Sequence, residues 1–264
     1  MKGIELPTQM LLVGLLLHLR FLGLMFSAPV FTATMTPTPF RYLFAVLLTT
    51  VSIGKVGLEE IPLFFFDSVF SIALLGIREL MIGLALGFLA SLPLMAVRLA
   101  GEQIGTVIGF SMAQVMDPAT QAQDSIFGQL NFLMSLWFYF RWNGHLLMVQ
   151  AMIETLKLAP LGSLSLFPEG FVAVGTWLQS LFILGIRMVL PFYCAIILAD
   201  IGLGFLARTV PQMNIFVLGL PIKVALGFFV LAVVLPLMVD LVFTQIERWI
   251  EFALGGVLLW RPAS

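Results

Sequence analysis

GEQIGTVIGFSMAQVMDP, Gly101–Pro118, sets Gly101, Gly105 and Gly109 four residues apart in an apolar run that stops at Asp117–Pro118. Residues four apart share a helix face, so one face of this segment carries almost no side chains. A bare face lets a second backbone approach, which is how helices pack where lipid removes the hydrophobic drive between them. Beyond the stripe come Phe110, Met112 and Met116, and methionine repacks easily around varied surfaces. The pattern predicts a close-packed helix that delivers a soft loop, a moving or sealing part of a membrane assembly rather than a catalytic centre. A plainer reading stays open: glycine is common in membrane helices, and some of the 14 methionines simply fill cores.

Composition sets the class. Of 264 residues, 61% are hydrophobic and 10% charged, with mean hydropathy +1.10, against roughly 25% charged residues in soluble domains. Such a chain cannot cover its surface with polar groups in water, so an all-α integral membrane protein is expected. A net charge of −1 with no basic run provides no field for nucleic acid. The start, MKGIELPTQM, lacks the charge pattern of a signal peptide and the apolar run after it is too long for one, which predicts a retained first span.

A span needs about 20 mostly apolar residues. The runs Leu6–Phe31, Tyr42–Leu58, Phe64–Val97, Ile126–Ala151, Phe171–Ala199 and Ile215–Ile246 predict about six hydrophobic helical segments. Phe64–Val97 is too long for one ordinary span and holds Arg78, Glu79, a second Gly83/Gly87 pair and Pro93, so a broken helix or hairpin is expected there. Ile104–Met116 is too short to cross and suits a re-entrant or protein-buried segment. The distribution of Lys and Arg between loops leans toward a cytoplasmic N-terminus. LGFLA occurs at Leu86–Ala90 and again at Leu203–Ala207, too short a match to establish a duplication.

Charges within or beside the apolar runs are Arg20, Arg78, Glu79, Arg187, Asp200 and Asp240. One at mid-bilayer costs about 2.5–3.5 kcal/mol on insertion scales. They form a proton or ion relay or a polar interface with partner subunits, or they snorkel from helix ends or neutralise one another inside the bundle. Arg98 and Glu102 share a helix face and can pair. The stretch Ala199–Lys223 reads as helix–elbow–helix, punctuated by Asp200, Arg208, Gln212, Asn214 and Lys223; its polar tip must be wet or buried in protein. His18 and His145 with the lone Cys194 make no metal-ligand pattern, and the chain has no HExxH, Walker A or GxSxG. Neither catalytic, cofactor-binding nor metal-binding residues are expected.

IGFSMAQVMDP (Ile108–Pro118) and ADIGLGFLARTVPQMNIFVLGLPIK (Ala199–Lys223), with RFLGLMFSAPVF (Arg20–Phe31), resemble the FliR family of flagellar biosynthesis proteins and its injectisome counterparts. The resemblance covers nearly the whole chain, and FSMAQVMDP favours the flagellar branch. It implies a subunit of the type III secretion export gate, located in the bacterial inner membrane at the centre of the flagellar basal body. One copy would assemble with FliP-like and FliQ-like subunits, and with an FlhB-like subunit, into a closed channel for unfolded flagellar proteins. It further implies a FliP-like part (about 1–170) joined to a FliQ-like helical hairpin (about 171–264), much of it above the bilayer plane. By position, Gly109, Phe110, Ser111, Met112, Met116 and Asp117 would belong to the pore plug. Arg78, Glu79, Glu102, Asp200, Arg208 and Lys223 would be buried or interface charges. Two other readings of the residues stand beside this one: a small-solute secondary transporter, suggested by charges and prolines in the spans (Pro93, Pro191, Pro236), and a scaffold without a pore role.

Overall fold

A computed structural model describes residues 2–28, 31, 36–55, 68–109, 125–161, 168–209 and 215–259. These residues form seven α-helices and no strand: α1 (Lys2–Ser27), α2 (Thr38–Ser52), α3 (Val69–Ile108), α4 (Ile126–Arg141), α5 (Gly144–Leu158), α6 (Pro168–Thr209) and α7 (Ile215–Leu259). A 3-10 turn, Ile53–Lys55, follows α2. Local chemistry explains several boundaries. Pro37 and the proline in the first turn of α2 supply backbone angles suited to a helix start. Asn143, at φ 57, separates α4 from α5; asparagine tolerates this left-handed region better than most residues.

Among the described residues, four helices are long and apolar enough to cross a membrane: Met10–Ser27, Val69–Ile108, Leu178–Thr209 and Leu218–Val242. The chain is thus an all-α membrane protein, and its described residues hold fewer full-length candidate spans than the six apolar runs suggest. Ile126–Ala151 is not one span, because it breaks at Trp142–Asn143 into helices of 16 and 15 residues. Phe64–Val97 is no hairpin: its described part runs on as the single 40-residue α3, with Pro93 inside it. Ile104–Ile108 is the last turn of that helix rather than a separate re-entrant piece; residues 110–116 of the expected segment lie outside the described residues. Pro191, Pro221 and Pro236 likewise sit inside α6 and α7. Each proline removes one helical hydrogen bond, a loss that membrane helices accommodate through neighbouring groups. Forty residues rise about 60 Å, roughly twice the hydrocarbon thickness, so α3 cannot be a simple upright crossing.

The helices form two compact units, divided inside α3 at Leu92–Pro93, between α4 and α5 at Trp142–Asn143, inside α6 at Trp177–Leu178 and inside α7 at Gln245–Ile246. The first unit joins residues 1–92, 143–177 and 246–264. Its α1 buries Val13, Leu16, Leu17, Arg20, Phe21, Leu24 and Met25, a helical stripe interrupted by one charge. On α3 the buried stripe is Leu75, Glu79, Ile82, Leu86 and Leu89. Glycines let these helices touch: a Cβ on Gly83 would lie 2.9 Å from the Leu24 nitrogen, and one on Gly23 would lie 2.8 Å from the Leu84 nitrogen. The second unit joins residues 93–142 and 178–245. Its core draws Val97, Ala100, Ile104 and Ile108 from α3, Phe127 from α4, Met188 and Phe192 from α6, and Met238 from α7.

Candidate functional site

Within the second unit, the last turns of α3 and the first turn of α4 meet through their backbones. A Cβ on Gly101 would lie 2.6 Å from the Phe127 carbonyl oxygen and 2.8 Å from both the Gly128 Cα and the Asn131 Nδ2. A Cβ on Gly105 would strike the Ser125 Oγ and lie 3.1 Å from the Ser125 Cβ. Gly128 answers from the other helix, where an added Cβ would stand 2.7 Å from the Glu102 Cγ. Gly101 and Gly105 thus lie against the start of α4, where an added Cβ would meet its atoms at once.

Gly109 ends α3. Its amide donates to the Thr106 carbonyl at 3.1 Å, and its φ of +100° lies where glycine is favoured. A Cβ there would also come within 3.0 Å of the Leu220 Cδ1 on α7. Ile108 packs against Gly227, and Phe127 meets Phe228 at 5.0 Å between ring centroids. The chain thus leaves α3 and re-enters α4 at a point where three helices converge. Phe110, Ser111, Met112, Met116 and Asp117 lie outside the described residues; what the structure provides is the geometry of their two flanks. Farther along α4, burial pushes the Tyr139 phenol well above its usual pKa, so it stays neutral.

The charges fall into separate groups. Arg98 and Glu102, both part-exposed, pair at 3.3 Å along α3 beside α4. Arg20 and Glu79 pair at 2.5 Å, both completely buried in the first unit, while Arg78 is half-buried beside them in sequence. Asp200 on α6 and Lys223 on α7 pair at 2.6 Å, drawing together the helices on either side of the expected elbow. The elbow itself, residues 210–214, is outside the described residues. Arg208 in the last turn of α6 is exposed, as are Arg187 and Asp240. Because Asp200 is half-exposed, its pair with Lys223 contributes about 1 kcal/mol or less. Charge reversal at both positions is accordingly expected to restore the thermal midpoint that Lys223→Asp alone lowers in detergent at low salt. A double variant no more stable than the single one would contradict the pairing.

Two features were not anticipated from the residues. Gly128 is the second half of the glycine seat, and its signal was present: a lone glycine near the start of an apolar helix, three residues after Ser125. The partners of Arg20 carry no local signal, because they lie 59, 135 and 139 residues away.

Comparison with known proteins follows the same lines. The family model described as "Bacterial export proteins, family 1" matches residues 11–249. The chain is 32% identical over 224 residues to the flagellar biosynthetic protein FliR of Bacillus subtilis (strain 168), covering 83% of this chain and 84% of that protein. It is 29% identical over 219 residues to FliR of Escherichia coli (strain K12), covering 83% and 82%. The secretion system apparatus protein SsaT of Salmonella typhimurium is 30% identical over 160 residues, 60% of this chain and 61% of that protein.

Proposed function

Because this chain belongs to bacterial export protein family 1 and is a membrane subunit of a type III export gate, we propose that it holds the gate shut with the segment between α3 and α4. The observation that carries this reading is the close approach of Gly101 to the Phe127–Gly128 backbone and of Gly105 to the Ser125 side chain. It brings the two flanks of residues 110–124 to one place and holds them on rigid helices. A segment so anchored can present Phe110, Met112 and Met116 to a protein-wide hole as a compact stopper. Phenylalanine and methionine suit that task, since they seal by contact and repack around a passing chain. Opening then breaks side-chain contacts and leaves helices intact.

In this reading the subunit joins FliP-like and FliQ-like subunits, with an FlhB-like subunit beside them, in the bacterial inner membrane at the centre of the flagellar basal body. Unfolded flagellar proteins are its cargo, and it performs no chemistry on them. Residues 1–170 serve as the FliP-like part and residues 171–264 as the FliQ-like hairpin. The large apolar side chains left exposed on α6 and α7, among them Phe182, Ile186, Phe205, Phe229 and Leu237, support a hairpin covered by lipid or by neighbouring subunits. The match to an export family weighs against a solute transporter, and the pairing of Arg20 with Glu79 and of Asp200 with Lys223 accounts for those charges without one.

The plug reading is tested with a cysteine at Met112 in a Cys194→Ser background. A flagellar substrate arrested in transit is expected to crosslink to it, and a cysteine at the exposed Leu237 of α7 is expected not to. If the gate copurifies intact but Met112→Cys never reaches the arrested chain, residues 110–124 are not the plug.

A further inference from the structure

Arg187 is the single charge on α6 between Glu169 and Asp200. It is exposed, and among the described residues it has neither an ion pair nor a hydrogen bond. Helices α6 and α7 run antiparallel, in a register that sets Asp200 beside Lys223 and Leu203 beside Gly219. That register puts Pro236 at the level of Arg187. Asp240, one turn beyond, is exposed too and does not pair with it. On α3, Glu102 is held by Arg98 and lies against Gly128 of α4. Ile183 and Leu190 share the helix face of Arg187 and are exposed. Beside that face lies an open groove of about 450 Å³ between α3 and α6, lined by Ala96, Leu99, Gln103, Phe182, Ile186 and Leu190. Gly185 keeps it open, since the nearest atom to a Cβ there would be the Ala96 carbonyl oxygen at 3.8 Å.

We infer that this groove receives an apolar helix of another gate subunit, and that a carboxylate on that helix neutralises Arg187. The inference rests on the chain's membership of an export gate, not on the plug. A charge on an apolar face is costly while lipid alone covers it. The α6–α7 hairpin neutralises Asp200 with its own Lys223, and it leaves Arg187 open. A protein segment that covers such a face within lipid must satisfy its own backbone, which selects a helix. Apolar side chains at one-turn intervals on that helix would fill the groove along Phe182, Ile186 and Leu190, themselves four residues apart. Arginine offers a carboxylate two parallel donors, a geometry that lysine lacks. A lipid phosphate has the right charge in the wrong place. Along α6, Arg187 stands about 20 Å from Asp200 and about 27 Å from Glu169, deep within the uncharged stretch.

The test uses the assembled gate, solubilised from native membranes through a tag on this chain. Arg187→Leu is expected to reduce recovery of the companion subunits roughly tenfold or more, because it strands the partner's carboxylate. Membrane abundance of the chain itself is expected to stay unchanged, since the side chain contacts nothing within it. Arg187→Glu is expected to abolish recovery. Each Asp and Glu in the apolar helices of the companions is then changed to Lys in the Arg187→Glu background, and one of these changes is expected to restore recovery. Gly185→Leu, which fills the groove and keeps the arginine, is expected to weaken recovery by itself. Wild-type recovery with Arg187→Leu overturns the inference. So does failure of every acid-to-lysine change, the result expected if Arg187 meets a lipid phosphate or water. Recovery is read without export, so a plug placed elsewhere in the chain leaves these outcomes unchanged.

Discussion

A leucine at Gly101 is expected to reduce export of flagellar subunits, and with it motility, to background. The reason lies in which atoms are near. Around Gly101 the Phe127 carbonyl and the Gly128 Cα stand closer than any Cβ tolerates, and both are main chain. Main-chain atoms of a helix cannot rotate aside, so even one methyl group must push α4 bodily away from α3. Overpacking a well-filled core with side chains costs about 1–3 kcal/mol, and here the helices themselves must part, which costs more. Ser125 at the head of α4 then moves with the displaced helix, and the segment ending there loses its seat. Gly105 presents the contrasting case, since its nearest neighbour is the Ser125 hydroxyl. Gly105→Ala is expected to lose part of export and to regain it when combined with Ser125→Gly. Trimming side chains near Gly101, for example Asn131→Ala, is expected to rescue nothing in Gly101→Ala. Soft-agar motility and secreted flagellar protein report the effect, and membrane abundance of the chain shows whether the subunit is still made. Normal swimming by Gly101→Leu would remove the glycine seat from the mechanism.

The bare face was legible because glycine at four-residue spacing states its own geometry: wherever the helix runs, that face lacks side chains. Pairing of Arg98 with Glu102 was legible for the same reason, both residues lying on one helix. What covers the bare face was not, since Ser125 and Gly128 arrive after an intervening stretch whose length no periodicity determines. Hydropathy misjudged Ile126–Ala151 because Trp142 and Gly144 read as acceptable membrane residues. The break depends on the left-handed Asn143, a conformational choice that a hydropathy average does not register. The length of Phe64–Val97, with its charges, glycines and Pro93, suggested a broken helix or hairpin, yet α3 continues through Pro93, as membrane helices tolerate. For Arg20 the sequence leaves relay, partner interface, snorkelling charge and internal neutralisation open. Its pairing with Glu79 comes from the three-dimensional convergence of α1, α3 and α5.

Three glycine-to-alanine changes in the first unit should separate by orders of magnitude in effect, and the largest, at Gly83, should leave little folded chain in the membrane. A Cβ at Gly83 would collide with the Arg20 carbonyl oxygen and lie 2.9 Å from the Leu24 nitrogen, both backbone atoms of α1. At Gly76 the neighbour is the Leu19 Cδ1 at 2.9 Å, the far end of a side chain that can change rotamer, so Gly76→Ala should cost about 1 kcal/mol or less. At Gly54 nothing lies within 4 Å, and alanine there reduces the freedom of the unfolded chain, which is neutral to stabilising by about 0.4–1 kcal/mol. All three substitutions add the same methyl group to the same unit, so a general intolerance of alanine would affect them equally. Gly83→Ala also forces α1 away at the residue whose guanidinium must reach Glu79 and Ala159. Its damage therefore combines overpacking with a buried charge pulled from its partners, a loss of about 3–5 kcal/mol by itself. Membrane abundance and thermal aggregation of the solubilised chain measure the series. Equal behaviour of Gly83→Ala and Gly76→Ala would mean that α1 and α3 are not in backbone contact at this crossing, and the buried pairing of Arg20 with Glu79 would lose its geometric support.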